Sequence, residues 1–309
     1  MDRYQSTLRS TVKISGIGLH SGREVRLEVC PADVGTGIVF LRTDHANAIP
    51  VPCHPHNISN SELSTTIGMD DSKVSTIEHL MAAFAGLGID NALVKINASE
   101  IPIMDGSASP FVERFLQVGI EKQNGFRKLF VLKKALEVRI GESLMRVEPA
   151  RKTTITCEID FNSGVIGKQS MEFHFNRIGF MSLCDSRTFC HIRDVEAMRK
   201  VGLALGGTLD NAVVVNDDAV INEGGLRSSD EFVKHKILDC VGDLAVLGAP
   251  LVGKIILNRP GHALHAKFMK ELVNNMEEYI TVVDYEEVEK KPAVTEFMSS
   301  LAAAAAIMN

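Results

Sequence analysis

The chain has 309 residues, of which 45% are hydrophobic and 23% charged, a composition typical of globular proteins of about two domains. Its net charge of −6 argues against a nucleic-acid-binding surface, and with 3 Tyr and no Trp it has few aromatic side chains for stacking on bases. The charged N-terminal stretch has no apolar core, and no run of ~18 apolar residues occurs, so neither a signal peptide nor a membrane span is expected.

Cysteine usage points to the compartment. The 6 cysteines are scattered and form no Cys-x-x-Cys pair. Without a secretion signal, such cysteines are typical of reduced thiols in the cytosol. We therefore expect a cytoplasmic protein without disulfides. We also expect a monomer that neither binds nucleic acid nor inserts stably into a membrane.

The first predicted elements form a β-hairpin around a Gly-rich turn at Gly16–Gly22. Its second strand, Glu24–Val29, alternates strictly between apolar and polar residues, and Ile38–Leu41 is the next strand. Residues 42–62 are rich in Pro, His, Asn and Ser and are predicted to be a loop. Three histidines fall in it: His45, His54 and His56. Their spacing matches no helix or strand face, which favours a surface loop over a metal site.

A helix is predicted to begin near Ser75 and to end at Gly86–Gly88. Ser75 and Glu78 are three residues apart and fit a capping box, which would give Glu78 a purely structural role. Strand Asn91–Ala98 follows, and then a turn at Asp105-Gly106 and a second helix that begins with Pro in its first turn.

The stretch 121–125 is polar and contains no apolar residue, and we place the boundary between two domains there, 1–124 and 125–309. Beyond it, five short segments predict an antiparallel sheet: Phe130–Leu132, Ala135–Ile140, Met145–Pro149, Thr154–Ile159 and Met171–Phe175. A short helix, Asp194–Lys200, and a strand, Ala212–Val215, come next.

The stretch Phe232–Leu244 has apolar residues at helical spacing. His235, Asp239 and Asp243 are four residues apart, so they form one polar column along this helix. An imidazole and a carboxylate one turn apart can bind the same metal ion, although an ordinary His–Asp contact on a helix surface gives the same pattern.

The two halves look like distant repeats, because each runs helix, strand, turn, helix. Between His79 and Asp105 there are 26 positions, and between His235 and His262 there are 27. We therefore expect an α+β fold of two similar domains, each a sheet covered by two helices, packed helix layer to helix layer. Such packing would bring His79 close to His235, at an interface where pockets commonly form.

These residues predict a catalytic metal site. Two imidazoles, from His79 and His235, and the Asp239 carboxylate would leave a fourth position open to water, as in catalytic zinc sites. Glu78 is placed to take a proton from that water. A structural zinc would usually have four protein ligands and cysteine, whereas Cys240 is expected to point off the ligand face. A lipid- or nucleotide-binding protein with a structural metal is therefore the less favoured alternative.

Several motifs resemble, in order, those of the UDP-3-O-acyl-N-acetylglucosamine deacetylases of lipid A biosynthesis. The resemblance runs from about residue 5 to about residue 280 and leaves the Ala-rich C-terminal tail unmatched. The motifs are Thr76-Ile77-Glu78-His79-Leu80, Ala85–Asn91, Ile101–Ser107, Ser186-Arg187-Thr188-Phe189, His235-Lys236-x-x-Asp239-x-x-x-Asp243 and Gly261-His262-Ala263-Leu264.

The resemblance implies a zinc amidase, with Fe²⁺ as the alternative metal, that removes the acetyl group from the 2-amino position of a UDP-linked, 3-O-acylated glucosamine. It implies that His79, His235 and Asp239 are the metal ligands. A fusion with an acyl-carrier dehydratase is not expected, because little chain follows residue 280.

The resemblance also assigns roles around the metal. Glu78 matches the general base and His262 the residue that protonates the leaving amine, while Asp243 would orient His262. Thr188 matches the hydroxyl that helps to hold the oxyanion. Lys236 would face substrate oxygens or phosphate, unless it is a solvated lysine at a helix edge.

Residues 189–215 resemble the family's βαβ insertion, which forms an apolar channel for the acyl chain. The matching positions are Leu19, His20, Phe189, Ile192, Val195, Ala204, Gly207, Leu209, Ala212 and Val214. Ordinary packing of a small subdomain would explain many of them equally well. Cys190-His191 departs from the expected smaller or more apolar residues and places another imidazole near the site.

Overall fold

The computed structural model describes residues 3–284, which form 19 strands and seven α-helices. In the first part of the chain, the elements are β1 (Tyr4–Leu8), β2 (Val12–Ile17), β3 (Glu24–Pro31), β4 (Ile38–Arg42), β5 (Val51–Pro52), β6 (Ile58–Asn60), β7 (Thr66–Ile67), α1 (Glu78–Leu87), β8 (Ala92–Ile96) and α2 (Ser109–Val118).

In the second part, the elements are β9 (Ile120–Phe126), β10 (Lys128–Leu132), β11 (Leu136–Ile140), β12 (Ser143–Glu148), β13 (Thr154–Asp160), β14 (Lys168–His174), α3 (Arg177–Met181), β15 (Phe189–His191), α4 (Ile192–Lys200), β16 (Val213–Val215), α5 (Glu231–Ala245), β17 (Leu251–Val252), β18 (Lys254–Asn258), α6 (His262–Asn274), α7 (Met276–Tyr279) and β19 (Ile280–Asp284).

Two five-stranded sheets have the same topology. Their strand orders are β2-β3-β8-β4-β5 and β11-β12-β18-β13-β14. In each, the central strand pairs antiparallel with one neighbour and parallel with the other. The central strands β8 and β18 follow the equivalent helices α1 and α5, so the predicted repeat of helix, strand and helix is confirmed.

The expectation of one antiparallel sheet that includes Phe130–Leu132 was wrong in two respects. These residues lie in β10, which belongs to a separate sheet of order β17-β10-β19. β18 comes from far along the chain and pairs parallel with β13 through the register Thr154↔Lys254 to Glu158↔Asn258. A strand that enters a sheet after a long connection has no hairpin turn to fix its direction. The sheet is therefore mixed.

Helices α1 and α5 pack against each other between the sheets, as the two-layer expectation required. Nearly every residue of both helices is buried, because each helix is surrounded by the protein interior on more than one side. The two helices approach closely at Gly242, where a Cβ atom would lie 1.9 Å from the backbone oxygen of Glu78. The helices can therefore cross at this distance only because residue 242 has no side chain.

The polar stretch at the predicted domain boundary is a strand. Residues 120–126 form β9, which pairs antiparallel with β1. Gln123 accepts a hydrogen bond from the Asn91 amide at 2.8 Å and donates one to the backbone oxygen of Ala32 at 2.8 Å. These polar side chains were misread because their partners lie elsewhere in the chain. The division into domains at residue 124 stays a prediction, and β9 spans it.

The predicted capping box at the start of α1 was wrong. Helix α1 begins at Glu78 itself, and Ser75 donates its hydroxyl hydrogen to the backbone oxygen of Ser99 at 3.0 Å. The Glu78 carboxylate instead accepts a hydrogen bond from the backbone N–H of Thr65 at 3.0 Å. Capping therefore does not account for Glu78. The stop at Gly88 is confirmed, since this residue adopts φ +71°.

Residues 189–215 form the expected βαβ unit, in which β15 and β16 pair in parallel and α4 connects them. All 6 cysteines are free. Within residues 3–284, no helix is long and apolar enough to cross a bilayer. The Ala-rich stretch 301–308 lies outside the described residues.

We expect Gly242→Ala to destabilise the protein, although Ala favours a helix over Gly by about 1 kcal/mol. The added methyl group would force α1 and α5 apart, and overpacking of this kind costs about 1–3 kcal/mol. Thermal unfolding checks this, with Gly224→Ala as the control because nothing lies within 4 Å of a Cβ at that position. Equal melting temperatures for the two variants would contradict the close crossing.

Candidate metal centre

His79, His235 and Asp239 meet where α1 crosses α5. His235 Nε2 lies 3.2 Å and His79 Nε2 lies 3.6 Å from Asp239 Oδ1. One ligand atom from each residue falls within 4.8 Å of the other two, and all three residues are buried. The three predicted ligands, separated by up to 160 positions in sequence, therefore share one small site.

The chemistry of these three side chains fits a divalent cation. Asp239 Oδ1 is buried and accepts no hydrogen bond within the described residues, which is costly for a carboxylate oxygen unless a cation lies beside it. His235 Nδ1 donates to the backbone oxygen of Ser186 at 3.1 Å, so its Nε2 carries the lone pair that a metal needs. Two nitrogens and one oxygen form a donor set that suits zinc.

The electrostatic setting agrees with this assignment. Burial lowers the pKa of His235 to about 3, although Asp239 works in the opposite direction, so the imidazole is neutral. Burial alone would raise the pKa of Asp239, but His235 and Lys236 outweigh it and hold that pKa well below its usual range. The site thus presents the neutral imidazole of His235 beside an ionised Asp239 carboxylate.

Lys236 lies at the edge of the site. Its Nζ donates to Asp239 Oδ2 at 2.9 Å and lies 5.5 Å from the centre of the Phe189 ring. Burial opposes the charged form of Lys236, but Asp239 outweighs it and raises the pKa. With 20% of its side chain exposed, Lys236 is an ion-pair partner of Asp239 and not a freely solvated lysine.

Glu78 lies on the first turn of α1, next to His79. Thr65 N–H holds its Oε2, while its Oε1 lies 3.9 Å from His262 Nε2. Burial raises the pKa of Glu78, and the nearby imidazoles only partly offset this effect. A carboxyl group with a raised pKa is better suited to accept and release protons near neutral pH.

The predicted contact between Asp243 and His262 is present. His262 Nδ1 lies 2.7 Å from Asp243 Oδ2, and the Thr65 hydroxyl donates to Asp243 Oδ1 at 2.6 Å. Burial disfavours the imidazolium of His262, but Asp243 and Glu78 outweigh burial and raise its pKa to about 10. His262 therefore carries a proton at neutral pH.

Sequence reasoning missed two residues here, Thr65 and His265. His265 Nδ1 also lies 2.7 Å from Asp243 Oδ2. The spacing of His262 and His265, three apart on one helix, was a readable signal that both face the same side. Thr65 offered no such signal, because it is polar, lies in a loop and meets Asp243 only through the tertiary fold.

The backbone around Thr188 is held from two sides. Its N–H donates to Gly106 O and its carbonyl accepts from Val213 N–H, both at 2.8 Å. The preceding residue, Arg187, is fixed by a two-pronged ion pair with Glu231, whose carboxylate is fully buried. These contacts tie the predicted oxyanion residue to the N-terminal part of α5.

The predicted acyl-channel residues fall into three groups by exposure. Ala204, Ala212 and Val214 are buried; Leu19, His20, Phe189, Val195 and Gly207 are half-buried; Ile192 and Leu209 are exposed by 44% and 46%. The loop before Gly207 lies on the Leu19–His20 turn, since Leu205 N–H donates to His20 O and Gly206 N–H donates to Leu19 O.

Phe189 connects this subdomain to the candidate metal site. Its ring packs edge-on against Phe232 at 4.9 Å and lies 6.0 Å from the His235 ring, measured between centroids. The aromatic side chain thus forms part of the wall between the exposed apolar residues of the insertion and the metal ligands.

The remaining histidines have structural positions. His191 Nδ1 accepts from the Arg193 N–H and caps α4, while its Nε2 lies 3.1 Å from Asp217. His45, His54 and His56 belong to no cluster of potential metal ligands within residues 3–284. The stretch 42–62 is not the continuous loop that was predicted, because the short strands β5 and β6 lie within it. The thiol of Cys240 is buried and likewise takes no part in either cluster that the described residues contain.

Comparison with known proteins gives one consistent family. A family model described as UDP-3-O-acyl N-acetylglycosamine deacetylase matches residues 5–274. A UDP-3-O-acyl-N-acetylglucosamine deacetylase of Citrifermentans bemidjiense is 44% identical over 283 residues, which covers 91% of this chain and 92% of the relative. A protein of that name from Myxococcus xanthus is 42% identical, over 88% of this chain and 87% of the relative. Another from Teredinibacter turnerae is 41% identical, over 93% of this chain and 96% of the relative.

Replacement of Asp239 by Ala should abolish metal binding, because it removes the anionic ligand of the three and leaves only the two imidazoles of His79 and His235. Elemental analysis of purified protein should give about one zinc per chain for the parent and nearly none for the variant. Asp33→Ala, in the exposed turn between β3 and β4, is the control. Retention of a full complement of metal by the Asp239 variant would remove this residue from the ligand set.

Proposed function

Because the chain belongs to the UDP-3-O-acyl N-acetylglycosamine deacetylase family, we propose that it hydrolyses the 2-acetamido group of a UDP-3-O-acyl-N-acetylglucosamine. The products are acetate and the free 2-amine, and the reaction is a step of lipid A biosynthesis. The observation that carries the proposal is the convergence of His79, His235 and Asp239 with Glu78 and His262 beside them.

The three ligands would hold Zn²⁺, or Fe²⁺ in its place. A metal in this position, with one coordination site open, makes water a nucleophile at neutral pH and polarises the amide carbonyl. The buried, unpartnered Asp239 Oδ1 and the free lone pair of His235 Nε2 support this assignment. A purely structural metal would call for a fourth protein ligand, which the group of three does not supply.

Glu78 is the proposed general base. Its Oε2 is engaged by Thr65 N–H, so Oε1 is the atom that accepts the proton of the attacking water. The burial that raises the pKa of Glu78 strengthens it as a base relative to a solvated carboxylate. General bases in such positions contribute about 10²–10⁴-fold to the rate.

His262 is the proposed general acid. Its Nδ1–H is used by Asp243, so Nε2–H is the proton that passes to the leaving nitrogen. Nε2 lies 3.9 Å from Glu78 Oε1, and this proximity supports the pairing of a base and an acid at one site. Thr188 and Lys236 are proposed to stabilise the oxygen that becomes negative and to contact substrate oxygens.

The βαβ insertion is proposed to bind the 3-O-acyl chain. Ile192 and Leu209 expose apolar surface to solvent, and Phe189 extends this surface towards His235. Burial of an acyl chain there would remove apolar area from water on both partners. We also propose that the protein works in the cytoplasm as a monomer, which its free thiols and its nucleotide-linked substrate support.

Glu78→Gln should retain the metal and lose about 10²–10⁴-fold in kcat, because the amide cannot accept the proton. Acetate release and zinc content measured on the same preparation check this. Glu113→Gln, exposed on α2, is the control and should behave like the parent. A Glu78 variant with undiminished turnover would contradict the role as base.

A hydroxamate should inhibit the parent by occupying the open coordination position.

Leu209→Asn should raise KM for a substrate with a long 3-O-acyl chain and change it little for a short-chain analogue. The reason is that loss of apolar contact costs about 25 cal/mol per Å² of buried surface, which only a long chain supplies. Steady-state kinetics with both substrates check this, with Ile178→Asn, exposed on α3, as the control. Equal changes for both substrates would place the acyl chain elsewhere.

A further inference from the structure

The carboxylate of Asp243 is the meeting point of three side chains. Thr65 donates its hydroxyl hydrogen to Oδ1 at 2.6 Å, while His262 Nδ1 and His265 Nδ1 each lie 2.7 Å from Oδ2. An ionised carboxylate accepts hydrogen bonds and donates none. Both imidazoles must therefore carry a hydrogen on Nδ1 and donate it to the same oxygen.

His265 differs from His262 in its surroundings. His262 begins α6 and points its Nε2 towards Glu78, whereas His265 lies one turn later and is fully buried, with Nε2 unpartnered within the described residues. A buried N–H without an acceptor costs more than a buried lone pair without a donor. The arrangement favours the tautomer of His265 that carries its hydrogen on Nδ1, facing Asp243.

We propose that His265 is a positioning residue for the deacetylation reaction: it anchors Asp243 Oδ2 so that His262 is held with its Nε2 towards the reacting group. The inference rests on the proposed function, since it assigns His262 the role of proton donor. Thr65 fixes one carboxylate oxygen, and without His265 the other would be held by His262 alone. The carboxylate could then rotate together with the imidazole that it should orient.

The variants His265→Asn and His265→Leu separate this role from simple packing. The Asn side-chain amide nitrogen can occupy the position of His Nδ1 and donate to Asp243, whereas Leu has the same branched shape and no donor. We expect the Asn variant to keep most of the parental kcat. The Leu variant should lose about 10–100-fold in kcat, the usual effect of removing a partner that orients a metal-site residue. KM should stay unchanged for both, because the lost interaction acts in the transition state.

Packing alone predicts the opposite order. Leu is apolar and suits a fully buried position, whereas Asn would leave its amide oxygen without a donor. Unfolding temperature and zinc content measured alongside kcat would show whether activity follows stability or the hydrogen-bond donor. Equal kcat values for the two variants, or a lower value for Asn, would overturn the proposal.

A second comparison asks whether His265 acts through Asp243. In a background that carries Asp243→Asn, the added change His265→Leu should have almost no further effect on kcat, because the two residues share one interaction. Full additivity of the two losses would overturn the proposal.

A readout that does not depend on turnover separates this inference from the proposed function. Proton NMR of the metal-loaded protein should show two low-field imidazole N–H resonances, of which the Leu variant loses one and keeps that of His262. If the parent released no acetate, the proposed function would fail while the spectrum still tested the contact. A parent spectrum without the His265 resonance would overturn the proposal.

Discussion

The close crossing of α1 and α5 is the constraint on which the site depends. At Gly242 the backbone of one helix touches the backbone of the other next to Glu78. The first turn of α1 therefore lies between two turns of α5, with Asp239 three residues before the contact and Asp243 one residue after it. The repeated sheets on either side hold both helices in place. A duplicated helix–strand unit, brought face to face with its copy, thus assembles in one place residues that are far apart in sequence.

This crossing also concentrates negative charge in a buried region, which the surrounding residues must compensate. Three carboxylates, Glu78, Asp239 and Asp243, lie within the helix layers, each nearly or fully buried. Lys236 pairs with Asp239, and His262 pairs with Asp243, so each of the two ionised carboxylates has one cationic partner. Within residues 3–284, Glu78 has no such partner at hydrogen-bond distance, and burial raises its pKa. The same fold thus leaves one carboxyl group basic while it keeps the other two charged, a separation of roles that acid–base catalysis requires.

The sequence predicted the elements with strong periodicity and failed where contacts are made at long range. The polar column His235, Asp239 and Asp243 was readable because helical spacing places residues four apart on one face. The repeat of helix, strand and helix was readable from order and spacing. By contrast, β9 was not recognised as a strand because its polar side chains bond to partners in another part of the chain. A local capping box was assigned to Ser75, although its hydroxyl bonds to Ser99. The motif positions in the site were readable from their resemblance to a family, whereas Thr65 and His265 became visible only when the fold placed them on Asp243.

The central claim is that one divalent cation is held by side chains from both halves of the chain. A crystal structure of zinc-loaded protein, with anomalous diffraction measured at the zinc edge, tests it most directly. We expect one strong anomalous peak at about 2.0–2.2 Å from His79 Nε2, His235 Nε2 and an oxygen of Asp239, with the fourth position open to water. A peak elsewhere, or one whose ligands come from α5 alone, would contradict it.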